Sequence, residues 1–170
     1  MKDHHNMLRI LISAAIIATG SASASAHGPA KPAAGSTNVA PAATEAVAVV
    51  DAFHAALKRG DLAAARGCLM DDALIFEGGA VERSAAEYAA HHLPADAEFA
   101  AVTEQAISSR RGDGDGRTAW VLTEGQTTGT WREKPVDSVT TETMILRKSG
   151  ASWRIQHIHW SSKSVSVTKP

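Results

Sequence analysis

The sequence has few of the residues on which several protein classes depend. Cysteine occurs once, at Cys68, so no internal disulfide can form and the fold must depend on its apolar core. Lys and Arg together number 17 against 18 Asp and Glu, which leaves no basic surplus for nucleic acid or an anionic membrane. No phosphate loop, dinucleotide fingerprint or Gly-x-Ser-x-Gly elbow is present. Disulfide scaffolds, nucleotide-binding folds and serine hydrolases are therefore not predicted.

Long apolar runs are also missing. The longest lies near the N-terminus, from Ile10 to Ala18, and is much shorter than the roughly 20 residues that span a bilayer. Lys2 and Arg9 precede it, and small residues follow at 24–26. This order is typical of a secretory signal. We therefore expect a signal peptide over residues 1–26, cleavage near Ala26, a periplasmic or secreted protein, and no membrane contact after cleavage.

Residues 27–43 read HGPAKPAAGSTNVAPAA and contain almost no bulky apolar side chain. A segment that can bury so little apolar surface does not offset the entropy lost on ordering. The sequence predicts a disordered linker over 27–43, followed by one folded domain over 44–165.

Apolar residues fall at helical spacing from Thr44, and Gly60 is typical of a helix end. After residue 94 the period changes to two, which indicates strands. The predicted helices are Thr44 to Gly60, Leu62 to about Met70, and a third capped by Ser84 and closed by Pro94. The predicted strands are a short one at 73–77 and four longer ones at about 98–109, 117–128, 137–148 and 152–163. Helices followed by an antiparallel meander favour an α+β fold, with a curved antiparallel sheet around three N-terminal helices.

Three segments carry a resemblance to a known superfamily: AALKRGD at 55–61, MDDALIFE at 70–77 and WRIQHIHWS at 153–161. Their order and spacing resemble the nuclear transport factor 2-like superfamily, which includes SnoaL-like polyketide cyclases, ketosteroid isomerase and the association domain of the calmodulin-dependent kinase. The resemblance implies a cone-shaped fold with an apolar pocket at its open end. It also implies a homodimer formed through the outer face of the sheet.

The resemblance to ketosteroid isomerase can be tested residue by residue. That enzyme uses a carboxylate base together with a tyrosine and a protonated aspartic acid that stabilise an oxyanion. The base position falls on Glu77, but the tyrosine position falls on Phe53, and an ungapped count places the aspartic acid at Thr143. Two of the three groups are therefore missing, and ketosteroid isomerisation is not expected.

The pocket that the resemblance implies has seven predicted lining residues: Phe53, Glu77, Tyr88, Thr143, Gln156, Ile158 and Trp160. The first hypothesis is a binding domain for a small apolar or amphipathic molecule, with no complete catalytic set. The second is a SnoaL-like isomerase or cyclase with Glu77 as general base, and the third is a dimeric assembly module. The missing groups favour a protein that is not an enzyme, and the enzymatic alternative stays open.

His157 and His159 are two residues apart on a predicted strand and so share one face, which is the strongest hint of a metal site in the sequence. The resemblance instead places them on the outer face of the sheet or at the dimer interface, with Arg154, Gln156, Ile158 and Trp160 facing inward. No metal and no cofactor are predicted. Cys68, within the second helix, is interpreted as an inert buried thiol.

Overall fold

The structure is a computed structural model, which describes residues 35–165 of the 170-residue chain. The predicted signal peptide at 1–26 and the first part of the predicted linker lie outside the described residues. No helix within 35–165 has the length and apolarity needed to cross a membrane.

Four α-helices and one 3-10 helix lie in the first half of the described chain. The 3-10 helix is Pro41–Ala43, and the α-helices are α1 (Thr44–Arg59), α2 (Leu62–Gly67), α3 (Ala85–Ala90) and α4 (Leu93–Val102). Gly60 ends α1 in the left-handed region at φ 70°, where glycine carries no steric penalty. Asp61 and Ser84 cap α2 and α3 by accepting the backbone N–H of Ala64 and Glu87.

Seven strands form one sheet in the order β1-β4-β5-β6-β7-β2-β3. Their bounds are β1 Ser36–Val39, β2 Leu69–Glu77, β3 Ala80–Glu82, β4 Thr103–Gly114, β5 Thr118–Trp131, β6 Lys134–Ser149 and β7 Ser152–Ser164. The β1–β4 and β2–β7 pairs are parallel, and the other pairs are antiparallel. The predicted α+β class and curved sheet are confirmed.

Several boundary predictions were wrong. The second helix ends at Gly67 and β2 begins at Leu69, so Cys68 follows the helix and is half-buried. Residues 36–39 form a strand on the edge of β4, and the 3-10 helix at 41–43 leads directly into α1, so the second half of the predicted linker is ordered. Pro94 opens a fourth helix instead of closing the third. Proline suits the first turn of a helix, because a backbone N–H there would have no partner within the helix. This fourth helix extends to Val102, and β4 therefore begins only at Thr103.

The core lies between the helices and the inner face of the sheet. Val50, Phe53 and Leu57 of α1 pack against apolar side chains of the central strands, including Val121 and Met144. These side chains recur at helical spacing on α1 and alternate along the strands, so each element buries one face. One end of this layered arrangement stays open, and the candidate site lies there.

Candidate functional site

A row of polar and aromatic side chains crosses the inner face of the sheet. Backbone pairing places Arg110 of β4 beside Thr123, Thr123 beside Glu142, Glu142 beside Trp160, and Trp160 beside Glu77. Laterally paired residues point to the same face, and neighbouring strands are about 4.8 Å apart. Five strands therefore bring a cation, a hydroxyl, two carboxyls and an indole into one line, flanked by the apolar core.

Glu142 is the most enclosed charge in this row, with its side chain only 3% exposed. The indole N–H of Trp160 donates to Glu142 Oε2 at 2.8 Å, and His54 Nε2 of α1 lies 2.8 Å from the same oxygen. Glu142 Oε1 is buried as well and has no hydrogen-bond partner among the described residues. Because a buried carboxylate oxygen without a donor is costly, this atom is available to a bound molecule.

Electrostatics keep Glu142 ionised in spite of its burial. Burial alone would raise the pKa of Glu142, but the proximity of His54, the Trp160 N–H and the charge of Arg110 together hold it below the ordinary value. Arg110 is buried and donates to Asp51 Oδ1 at 2.5 Å and, at 3.3 Å, to the Thr123 hydroxyl. The row thus holds a carboxylate in its charged form.

A cavity of about 690 Å³ opens above the part of this row formed by Glu142, Trp160 and Glu77. Its volume is in the range of small-molecule sites in proteins, roughly 300–1,000 Å³. Its lining residues include three acids, two aromatic residues and one histidine: Glu77, Asp96, Glu142, Phe99, Trp160 and His54. Aromatic surface and several acidic groups therefore face the same space.

A second cluster of titratable residues surrounds Glu77, at the end of the row opposite Arg110. The Tyr88 hydroxyl donates to Asp96 Oδ2 at 2.7 Å, and the ring of His92 pairs with the buried Glu82 carboxylate. Burial and then the charge of Asp96 raise the pKa of Glu77, although His92 opposes the shift. Burial also raises the pKa of Asp96, against the Tyr88 hydrogen bond and His92. Burial and the adjacent Asp96 likewise raise the pKa of Tyr88, so its phenol stays protonated.

Of the seven predicted pocket residues, Glu77 and Trp160 line the cavity. Three others lie behind the wall and support it. Phe53 is fully buried and stacks against Trp160, with ring centroids 6.2 Å apart. Tyr88 is fully buried and holds Asp96, and Ile158 belongs to the core.

The remaining two, Thr143 and Gln156, do not line the cavity. Thr143 pairs with His159 on the outer face, and the inward-facing acid on this strand is its neighbour Glu142. Gln156 is the extra residue of a β-bulge, because Ile145 pairs with His157 whereas Leu146 pairs with Ile155. The resemblance implied that Arg154 and Gln156 face inward with Ile158 and Trp160, but the bulge breaks the alternation between these residues. Instead, Gln156 donates to the Asp72 carbonyl at 3.1 Å.

His157 and His159 share one face, as their spacing predicted, and their rings flank Phe76 on the outer side of the sheet. His157 Nδ1 lies 2.9 Å from the Leu74 carbonyl oxygen, which gives that histidine a structural partner. Within residues 35–165 no group of three or more His, Cys, Asp or Glu side chains is arranged to hold a metal ion.

Three functional candidates were missed by sequence reasoning: Glu142, His54 and Asp96. Glu142 was missed because the ungapped count ended one residue later. Nothing in the sequence indicates the partner of His54, which lies 88 positions away. The prediction that Pro94 ends a helix leaves Asp96 just before a strand, whereas it lies within α4. An acid that alternates with Met144 and Leu146 was the one available signal for Glu142.

The family model of the SnoaL-like domain matches residues 46–164, which is most of the described chain. The chain belongs to the SnoaL-like domain family. The match begins within α1 and ends with β7, so it contains every residue of the polar row and the cavity wall. No curated protein matches the sequence.

Solved structures extend this finding. A candidate ketosteroid isomerase from Shewanella frigidimarina is 35% identical over 74% of this chain and 100% of its own, with a TM-score of 0.69. An NTF2-like protein of unknown function from Pseudomonas putida is 17% identical over 76% of this chain and 96% of its own, with a TM-score of 0.62. A candidate dehydratase of the NTF2-like family from Streptomyces avermitilis is 16% identical over 71% and 95%, with a TM-score of 0.59. The last two are similar in fold alone. SnoaL-like and NTF2-like folds often bind small molecules or act as enzymes, and the site must decide between these roles.

Proposed function

We propose that this SnoaL-like domain binds a small amphipathic organic molecule in the cavity above the polar row. The observation that carries the proposal is Glu142 Oε1, a buried carboxylate oxygen that lacks a donor and belongs to a residue of the cavity wall. An apolar framework would contact Phe99 and Trp160, and a polar group would satisfy the free oxygen. The cavity is large enough for a molecule of two or three fused rings.

The test uses an uncharged fluorescent compound, N-phenyl-1-naphthylamine, titrated into the purified protein. Ala100 of α4 lines the cavity, whereas its neighbour Ala101 is exposed. Ala100→Trp should fill the space and abolish binding, and Ala101→Trp should bind as the wild type does. Absence of binding by the wild type, or equal loss in both variants, would contradict the proposal.

Acid–base catalysis is a second candidate function, and the opposed pKa shifts favour it. Glu77 and Asp96 have raised pKa values, whereas the pKa of Glu142, on the same row as Glu77, is lowered. Environments that push neighbouring acids apart are typical of sites that move protons. In this role Glu77 takes a proton from a carbon atom next to a carbonyl. Burial and the charge of Asp96, which accepts a hydrogen bond from Tyr88, raise the pKa of Glu77 and so make it a stronger base.

Catalysis can be tested without knowing the substrate. The ketone 2-tetralone has acidic C–H bonds next to its carbonyl, and their exchange in deuterated buffer is followed by NMR. The wild type should accelerate exchange above the buffer rate, and Glu77→Gln should return it to that rate. Glu104→Gln at the cavity rim, where the acid is exposed and paired with Lys58, is the matched control. Equal rates in wild type and Glu77→Gln would end the catalytic hypothesis.

Export and dimerisation are part of the proposal. The N-terminal pattern supports secretion with cleavage near Ala26, which N-terminal sequencing of protein recovered from a producing cell would test. The outer face of the sheet exposes apolar side chains, including Leu74, Phe76, Trp120 and Leu122, which support a homodimer through that face. Light scattering should give twice the chain mass for the wild type and the single mass for Phe76→Arg. A monomeric wild type would contradict the dimer.

A further inference from the structure

The inner face of β6 presents two buried polar atoms to which no residue within 35–165 forms a hydrogen bond. Thr140 and Glu142 lie two residues apart on this strand, so their side chains share the inward face, and both line the cavity. Thr140 Oγ1 and Glu142 Oε1 are both buried without a hydrogen-bond partner among the described residues. Glu142 Oε1 can only accept a hydrogen bond, and the Thr140 hydroxyl can donate or accept one, so the pair suits a ligand group that donates to the carboxylate and also bonds to the hydroxyl.

The charge of the wall narrows the chemistry of that group. Four acids line the cavity: Glu77, Asp96, Glu104 and Glu142. Lys58, the one lysine of the wall, already pairs with Glu104 at 2.7 Å. Arg110 beneath the wall already pairs with Asp51. The enclosed part of the cavity therefore has a surplus of acidic groups, which repels anions and favours cations.

Common ligand groups differ in how well they fit this carboxylate and hydroxyl. An alcohol can donate to the carboxylate and accept from the Thr140 hydroxyl, but it brings no charge, while a carboxylate brings only acceptors and a like charge. A protonated primary amine has three N–H donors and a positive charge, so it can donate to both oxygens and form an ion-paired hydrogen bond to the carboxylate, which a neutral group cannot. Trp160, half-buried in the same wall, offers an aromatic surface, which attracts cations as well as apolar groups.

We propose that the ligand of this cavity is an aromatic or alicyclic primary amine, bound as the ammonium ion between Glu142 Oε1 and Thr140 Oγ1. The inference rests on the binding function proposed above and adds the chemical class of the ligand. Glu142 supplies the counter-charge, and Trp160 and His54 fix that carboxylate from the other oxygen. The apolar part of the amine lies against Phe99 and Trp160.

Three compounds with one skeleton test the inference: 1-naphthylmethylamine, 1-naphthalenemethanol and 1-naphthoate, each titrated calorimetrically at neutral pH and low salt. The amine should bind the wild type at least about tenfold more tightly than the alcohol, since a hydrogen bond to a charged group exceeds a neutral one by about 1.4 kcal/mol. The carboxylate should bind more weakly than both.

The ratio of amine to alcohol affinity is the decisive readout, because a loss of stability does not change it selectively. Glu142→Gln should reduce the ratio to about one, since the neutral amide lacks the counter-charge. Glu98→Gln, at an exposed acid of α4 outside the cavity wall, should leave it unchanged. Thr140→Val should reduce it in part, which keeps the inference testable if Glu142→Gln does not fold.

Different failures have different meanings. An alcohol that binds the wild type as tightly as the amine overturns the amine inference and leaves the binding function standing. A ratio that survives Glu142→Gln also overturns it. If none of the three compounds binds, the amine inference and the proposed binding function fail together.

Discussion

Two tryptophan-to-phenylalanine substitutions measure what the buried carboxylate contributes to stability. Trp160 donates its indole N–H to Glu142 at 2.8 Å, and Trp153 donates to Glu45 at 3.0 Å. The acceptors differ in exposure, since the Glu142 side chain is 3% exposed and that of Glu45 is 73% exposed. The same substitution therefore removes one hydrogen bond to a buried carboxylate and one to a solvent-exposed carboxylate.

The expected difference follows from desolvation. Losing a donor to a buried charged group costs about 1.5–3 kcal/mol, because no water replaces it. Losing a donor to an exposed carboxylate costs about 0–1 kcal/mol, because a water molecule replaces it. Trp153 is the more buried of the two tryptophans, so simple loss of packing would make Trp153→Phe the worse variant. Hydrogen bonding and packing thus predict opposite orders of stability.

The measurement is the free energy of unfolding in urea for wild type, Trp160→Phe and Trp153→Phe at neutral pH. We expect Trp160→Phe to be less stable than Trp153→Phe by about 1–2 kcal/mol. Equal losses, or a larger loss for Trp153→Phe, would refute the reasoning. The hydrogen bond to the buried Glu142 carboxylate would then contribute no more to stability than the one to the exposed Glu45 carboxylate.

Three other predictions concern charge and reactivity. The raised pKa of Glu77 makes its contribution to stability fall as pH rises from its unfolded pKa, about 4.3, through its folded pKa, so Glu77→Gln should raise the melting temperature relative to wild type at about pH 8 but not at about pH 4. A shift of equal size at both pH values would contradict this. Arg110→Met should lower the free energy of unfolding in urea by about 1–3 kcal/mol, because Thr123 loses a hydrogen bond and Glu142 loses a nearby positive charge. Lys58→Met, at an exposed ion pair, should lower it by under about 1 kcal/mol. Similar costs for the two variants would contradict a stabilising role of Arg110. Burial raises the pKa of the Cys68 thiol, against the charge of Arg154, so its reaction with a disulfide reagent should be slower in the folded protein than in urea, and equal rates would be inconsistent with that burial.

Much of the fold was predictable because its signals are local. Thr44 and Gly60 bound α1, and the turn at Asp115 joins β4 to β5, where Asp115 Oδ1 accepts the N–H groups of Arg117 and Thr118 at 2.8 Å. The errors came from residues with two local meanings. Pro94 can end a helix or begin one, and only the packing of α4 against α1 decides between them.

The candidate site was less predictable because it depends on register across strands. Glu77 and Trp160 were identified, yet the partner that joins them to the rest of the row, Glu142, depends on the pairing of β6 with β7. The bulge at Gln156 shifts that pairing by one residue within β7. A shift of one residue moves a side chain from one face of a sheet to the other, and single-sequence periodicity does not locate such a shift.

The ends of the sheet bear on how copies of the chain can meet. The central strands are long, 14 residues in β5 and 16 in β6, but the outermost strands are only four residues in β1 and three in β3. The part of β4 that β1 leaves uncovered has an irregular register between Ile107 and Ser109. Short or irregular borders give an incoming chain few aligned backbone groups to pair with, which protects against runaway strand addition during folding and at high concentration. Strand addition at these borders is therefore disfavoured as a route by which copies of the chain associate.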